Sequence, residues 1–404
     1  MAQWQKNLYA LWAAQFIAMV GLTLVVPFMP LYIKTLGVPR LDDIERWSGL
    51  LFAAPFLAQT LIAPVWGVLG DRYGRKLMVL RALLGIGVTN MLAAAVGAVW
   101  QLLGLRMAQG GVSGFVAASN ALVSSSIPRD RLGTAMGILQ SSLTAGGIIG
   151  PLIGGALADA IGFRWVFIVN GLLCWVAAGV VLGATREPAV ARRRERGPGV
   201  RENIAYFLGS PVLRTVGLLL CTSNLAVMAV EPIFPVFVQT LGVPEPRVAT
   251  VAGVLFSVTG FASMLGAAVW GRASDRLGEG RVLVIVLWGA SVAYVAQAAA
   301  QGPVALFLLR AALGLAVGGL MPPLYAIVAR HAPPERLGGI MGLTSSAIMV
   351  GNLVGPIAGG LFAAAANIRL VFVAAGAVLA VAALATRGLA PAMATSARRA
   401  TETG

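Results

Sequence analysis

Reactive side chains are scarce in this chain. Among 404 residues there is one histidine, there are two cysteines, and charged residues make up only 11%. A soluble domain carries about 25% charge, so a water-exposed globule is excluded. Cys174 and Cys221 both fall within apolar runs, which leaves neither a disulfide framework nor a metal site. The lone His331 lies between two such runs and is not read as a proton relay. Paired carboxylates, metal-spaced His/Cys clusters and a nucleophile motif are also missing, so the chain is not read as an enzyme and no residue is assigned as catalytic. The phosphate loop G-x-x-x-x-G-K-[ST] is lacking too. Any work the chain does must draw on an ion gradient or on its own substrate; a proton gradient, with no cofactor, is the expected source.

Apolar sequence is what is plentiful. Hydrophobic residues make up 58% of the chain, and a bilayer core about 30 Å thick needs roughly 20 apolar residues per helix. Twelve runs meet that need: 8–33, 47–68, 77–97, 100–124, 133–158, 165–185, 213–238, 248–270, 282–300, 303–329, 337–362 and 368–386. The fifty glycines sit largely inside these runs, as they do where membrane helices approach closely. The expectation is an all-α integral membrane protein of twelve transmembrane helices. The first run is too long for a signal peptide, and no small-residue cleavage site follows it.

The chain also repeats itself. Gly146-x-x-x-Gly150-Pro151-x-x-Gly154-Gly155 recurs 205 residues later as Gly351-x-x-x-Gly355-Pro356-x-x-Gly359-Gly360. Leu36-Gly37-Val38-Pro39 recurs as Leu241-Gly242-Val243-Pro244. At an offset of 204, Trp66-Gly67 matches Trp270-Gly271, Asp71-Arg72 matches Asp275-Arg276, and Arg106 matches Arg310. Duplicated six-helix bundles are a common plan for secondary transporters. The expected division is a bundle over 1–185, an inner linker over 186–210, a second bundle over 211–390 and a disordered tail over 391–404.

A net charge of +15 invites a nucleic-acid partner, but the distribution of charge argues against one. With Lys6 inside, twenty-one basic residues fall on inner segments and six on outer ones, while Arg81, Arg106 and Arg310 lie within runs. That is the positive-inside pattern, with both termini cytoplasmic in the cell (inner or plasma) membrane. The expected partners are a small-molecule substrate, protons and membrane lipids, with no nucleic acid, and the protein is expected to act as a monomer.

Between the second and third runs stands Gly67-Val68-Leu69-Gly70-Asp71-Arg72-Tyr73-Gly74-Arg75-Lys76. This resembles the signature loop of the major facilitator superfamily, G-x-L-(A/G)-D-R-x-G-R-K. The resemblance extends over nearly all of 4–386 and is greatest to the twelve-helix drug–proton antiporters, MdtG-type multidrug exporters among them. It implies a gate in which Asp71 pairs with inner arginines and a helix N-terminus, alongside Gly67, Arg72, Gly74, Arg75 and Lys76. The second copy replaces Arg75-Lys76 with Glu279-Gly280 and is degraded. Gly146, Gly150, Pro151, Gly154 and Gly155 resemble the antiporter motif of helix 5; physically they make a flat, close-packing face and a bend. Arg106-Met107-Ala108-Gln109-Gly110 resembles a third motif, whose arginine is implicated in proton transfer. Arg81 reads as framework that snorkels to the inner surface.

Glu231 stands apart. The other fourteen acids fall in loops or at the ends of runs, whereas Glu231 lies inside one. Its repeat counterpart is Val26, so it is not inherited framework. A lone intramembrane carboxylate is a functional candidate. Taking the seventh run as one continuous helix puts Glu231 and Arg310 at similar depth in the outer half, so an ion pair or water-bridged pair is expected, with Arg106 as the competing partner. The cavity is expected between helices 1, 4, 7 and 10, lined by Met19, Thr23, Gln109, Ser113, Asn224, Met228 and Tyr325. The function expected is proton-coupled export of small amphipathic molecules or drugs; import or facilitated passage of a sugar, acid or peptide is the alternative.

Overall fold

The computed structural model describes residues 3–127, 131–186, 199–333 and 335–387. The side chains of Asp71, Ser125 and Arg387 lie outside that description, as do the tail 391–404 and most of the arginine-rich part of the linker. Among the described residues every regular element is helical.

The first runs give α1 (Gln3–Leu24), α2 (Met29–Thr35), α3 (Leu41–Tyr73) and α4 (Arg75–Ala94). They continue as α5 (Val99–Val112), α6 (Phe115–Ser126), α7 (Leu132–Ile161) and α8 (Phe163–Ala184). After α9 (Val200–Gly209) come α10 (Pro211–Val230), α11 (Phe234–Thr240), α12 (Val248–Leu277) and α13 (Glu279–Ala298). The chain closes with α14 (Pro303–Val317), α15 (Met321–His331), α16 (Leu337–Ala365) and α17 (Ile368–Arg387). Each of the twelve predicted runs is accounted for. Among the described residues, eleven spans are long and apolar enough to cross a membrane; the run 100–124 falls short because it is cut into α5 and α6.

Breaks fall in runs 1, 4, 7 and 10, the first of every three. Proline explains two of them. Pro27 and Pro30 cannot donate to the carbonyls of Thr23 and Val26, and Pro232 and Pro235 cannot donate to those of Met228 and Glu231, four residues back. A 3-10 turn, Val26–Phe28, joins α1 to α2, and residues 231–233 form the turn between α10 and α11. Pro322 and Pro323 open α15 after a Gly318-Gly319 turn. Run 4 breaks at Gly114, whose φ of +109° is left-handed and suits glycine alone. By contrast, Pro151 and Pro356 sit inside α7 and α16 without interrupting them. The segment read as a plain linker is partly ordered: 200–209 is the helix α9.

Contacts group the chain into two units, Met1–Arg193 with Pro232–Ser257, and Arg194–Glu231 with Val258–Gly404. In the first, α1 packs on α7 and α8, and α4 on α8. In the second, α10 packs on α16 and α17, and α13 on α17, so the duplicated sequence gives duplicated packing. The first core contains Leu11, Ala18, Val79, Leu83, Leu122 and Leu139, each at most 1% exposed. Large apolar side chains also cover the outside: Leu61, Val68, Leu308 and Val381 are all at least 65% exposed. Water would penalise such a surface, and a bilayer accommodates it.

Candidate functional site

The glycine motif lies on the α7 face that meets α1. A Cβ at Gly146 would stand 2.7 Å from the Met19 Cβ and 2.9 Å from the Phe16 carbonyl oxygen. At Gly150 it would meet the Thr23 hydroxyl and stand 2.7 Å from the Val20 carbonyl; at Gly154 it would strike the Leu24 backbone. The second copy repeats this residue for residue. Gly351 faces the Cys221 carbonyl at 2.5 Å, Gly355 the Leu225 carbonyl at 2.7 Å, and Gly359 the Ala229 backbone, all on α10. Gly155 points elsewhere, at Ala249 and Thr250 of α12 within the first unit. There Asp159 accepts from the Thr250 amide (2.7 Å) and hydroxyl (2.6 Å), and Ser257 donates to Ile148 O (2.6 Å).

The signature loop spans the α3–α4 corner. Gly74 turns it with a φ of +95°, and its repeat Gly278 does the same at +83°. Gly67 faces open space, and Arg72 stacks 5.4 Å from the Tyr73 ring. The Arg75 guanidinium donates to Ala121 O (2.7 Å), and the Lys76 ammonium to Leu182 O (2.9 Å) and Thr185 O (2.7 Å). The Lys76 ammonium thus satisfies carbonyls at the C-terminal end of α8, where the helix dipole favours positive charge, while Arg75 reaches a carbonyl in the middle of α6. Asp71 lies in the last turn of α3, and its side chain is outside the described residues.

Arg81 does not snorkel. Its guanidinium sits 3.4 Å over the Trp66 ring and donates to Ser113 O (2.9 Å), while the Trp66 indole donates to Gly111 O (2.6 Å). Together they satisfy the carbonyls freed where run 4 breaks. The second copy keeps the indole bond, Trp270 to Leu315 O at 2.9 Å, but has Ile285 in place of Arg81.

Beside that break the first unit holds a partly open cavity of about 330 Å³. Met19, Gln109 and Ser113 line it, as expected. Thr23 does not; its hydroxyl turns to Met19 O (2.8 Å), into the α1–α7 contact. α3 supplies a wall that sequence reasoning missed, with Phe52, Pro55, Phe56 and Gln59. Arg106 reaches the cavity at 9% exposure, donating to the Gln109 side-chain oxygen (2.8 Å) and to the Met29 sulfur (3.8 Å), with Phe167 5.8 Å away. In the second unit, Asn224 and Met228 lie where α10 meets α16, and Tyr325 is 37% exposed on α15.

Glu231 follows the last residue of α10, at the break. It is half-buried, and it and Arg310 act on one another electrostatically; both act on Tyr294 as well. Arg310 and Tyr294 are 3% and 1% exposed. Tyr294, on α13, was not singled out from sequence because a tyrosine in an apolar run looks like packing. Glu45 was also missed. It lies in the second turn of α3, inside the span Leu41–Gly70 and at 3% exposure, whereas Glu231, expected inside one continuous helix, sits just past the end of the span Pro211–Val230 because the helix breaks there.

Paired six-helix repeats with broken helices beside a cavity, in a lipid-facing shell, define a secondary transporter. The family model of the Major Facilitator Superfamily matches residues 11–262 and 247–403. The chain belongs to the major facilitator superfamily and is a multi-pass membrane protein. It is 33% identical over 378 residues to the multidrug resistance protein MdtG of Dickeya zeae (strain Ech586), covering 93% of this chain and 92% of that one. It is 32% identical over 377 residues to the MdtG of Escherichia coli (strain K12 / DH10B), covering 93% and 92%. Its fold matches a bacterial homolog of the human lysosomal transporter Spinster with a TM-score of 0.78 at 20% identity, over 96% of this chain and 98% of that one. The nucleoside transporter NupG matches with a TM-score of 0.75 at 13% identity, over 94% and 100%.

Proposed function

We propose that the protein exports small amphipathic molecules, drugs among them, in exchange for protons by alternating access. The observation that carries this reading is Glu231: a carboxylate at a helix break, under the influence of Arg310, where the first repeat has only Val26. Pairing favours the charged carboxylate and low-dielectric burial opposes it. As the site alternates between wet and closed, its proton is taken up and released, with Arg310 as the partner and Arg106 serving the cavity of the first unit. The curated relatives are multidrug resistance proteins, and the apolar lining around Met19, Phe52 and Phe56 suits adaptable contacts. The loop Gly67–Lys76 gates the inner side through Asp71. The halves divide as 1–185 and 211–390, both termini face the cytoplasm of the inner membrane, and the unit of function is the monomer.

The test uses everted membrane vesicles with an imposed pH gradient and a panel of amphipathic dyes and drugs. Cargo should accumulate in the wild type as protons leave, and Glu231→Gln should abolish the coupled proton signal while inserting normally. Unchanged coupling in Glu231→Gln would remove Glu231 from the mechanism. Cargo moving with the proton gradient rather than against it would favour an importer of sugar, acid or peptide.

A further inference from the structure

The helix α9 has a surface that transport does not use. Within the second unit one edge is fixed. Asn203 and Phe207 are each 8% exposed, Asn203 lies against Gly339, and the Phe207 ring lies against Gly217. Glu202 meets Arg336 at 3.8 Å, and the Tyr206 hydroxyl donates to His331 O at 3.3 Å. The adjoining edge is bare. Val200, Ile204 and Leu208 are 76%, 40% and 54% exposed, at the i, i+4, i+8 spacing of one helical stripe. At about 100° per residue, the apolar Phe207, Val200, Ile204 and Leu208 follow one another over an arc of about 100°, with the polar Asn203 beyond Phe207. Of this apolar face the protein covers only the Phe207 edge.

Position and charge identify what covers the rest. The extended Ser210 alone separates α9 from Pro211, the first residue of a membrane-spanning helix, so the stripe lies at the level where that span leaves the bilayer. Arg201 follows the stripe on the wheel, about 20° beyond Leu208. Arg214, whose guanidinium donates to Leu208 O at 3.4 Å, flanks its end, and both arginines are exposed. Apolar side chains beside exposed arginines, at the mouth of a membrane helix, suit an anionic lipid surface. We propose that α9 lies in the plane of the inner-leaflet interface, with Val200, Ile204 and Leu208 among the acyl chains and Arg201 and Arg214 on anionic headgroups. This goes beyond the transport reading and does not depend on cargo or on proton coupling.

The test takes the full chain in proteoliposomes, with Cys174→Ala and Cys221→Ala as background and nitroxide labels placed singly at Ile204→Cys, Leu208→Cys and Ala205→Cys. Labels at 204 and 208 should collide readily with oxygen and poorly with a neutral water-soluble nickel complex, and the label at 205 should do the reverse. Spin-labelled phosphatidylglycerol should associate with the wild type more than spin-labelled phosphatidylcholine does. Arg201→Gln and Arg214→Gln should each lower that preference by up to about fivefold. Nickel-accessible labels at 204 and 208 would overturn the proposal, as would labels there shielded from both reagents, which would mean a protein partner instead. An undiminished phosphatidylglycerol preference in the double Gln variant would overturn the headgroup contact.

Discussion

Adding one methyl group at Gly355 is a sharp test of how the helices are held together. Its Cβ would stand 2.7 Å from the Leu225 carbonyl oxygen and 2.8 Å from the Met228 Cβ. Carbon atoms sit comfortably about 3.5–4.0 Å apart, so α16 must retreat from α10 by about 1 Å, or both must bend. Over-packing of this kind costs about 1–3 kcal/mol. Gly355→Leu should cost more, since no rotamer escapes the facing backbone. The same holds for Gly150 on α7, which faces the Val20 carbonyl and the Thr23 hydroxyl of α1. An internal control lies on the same two helices. Gly137 and its repeat Gly342 have nothing within 4 Å of a Cβ, and alanine there improves helix propensity by up to about 1 kcal/mol. Thermal unfolding of purified protein should therefore show Gly150→Ala and Gly355→Ala lowering Tm by a few degrees, and Gly137→Ala and Gly342→Ala leaving it level or higher. Vesicle transport should follow the same order, with the Leu variants inactive. If all four alanine variants behave alike, close helix approach is not what these glycines provide.

Two further outcomes rest on single side chains. Arg81→Met should destabilise by about 1–3 kcal/mol, because the Ser113 carbonyl loses a charged donor at the break beside the cavity; Arg81→Lys should recover part of it, and a Met variant with unchanged Tm and transport would show that the break holds itself. Asp71→Asn should cut transport severely while expression and insertion stay near normal, since the gate loses a charge; transport at the wild-type rate would end the gating role of that loop.

Much of this protein is legible in its sequence, because a bilayer leaves few choices. Backbone groups in hydrocarbon must be satisfied within the helix, so an apolar run has little choice but to be helical, and all twelve runs are, four of them with a break. The repeat offset likewise carried over into three dimensions: Gly146 and Gly351 face Phe16 and Cys221, which are themselves 205 residues apart. The breaks near Glu231 and Val26 follow from Pro232, Pro235, Pro27 and Pro30, since a missing N–H is a local property, but the reading of run 7 as one continuous helix passed over them. Tertiary structure decided what depends on neighbours distant in the chain. Arg81 reads as a snorkelling cation until Trp66 and the Ser113 carbonyl, 15 and 32 residues away, appear beside it. Thr23 reads as a lining residue until the close approach of Gly146 and Gly150 takes its hydroxyl out of the cavity. The part of Tyr294 beside Glu231 and Arg310 and the buried state of Glu45 have the same origin. Which face of a helix meets protein, cavity or lipid is set by side-chain shape across a contact, and a hydrophobic run that is apolar all round carries no record of it.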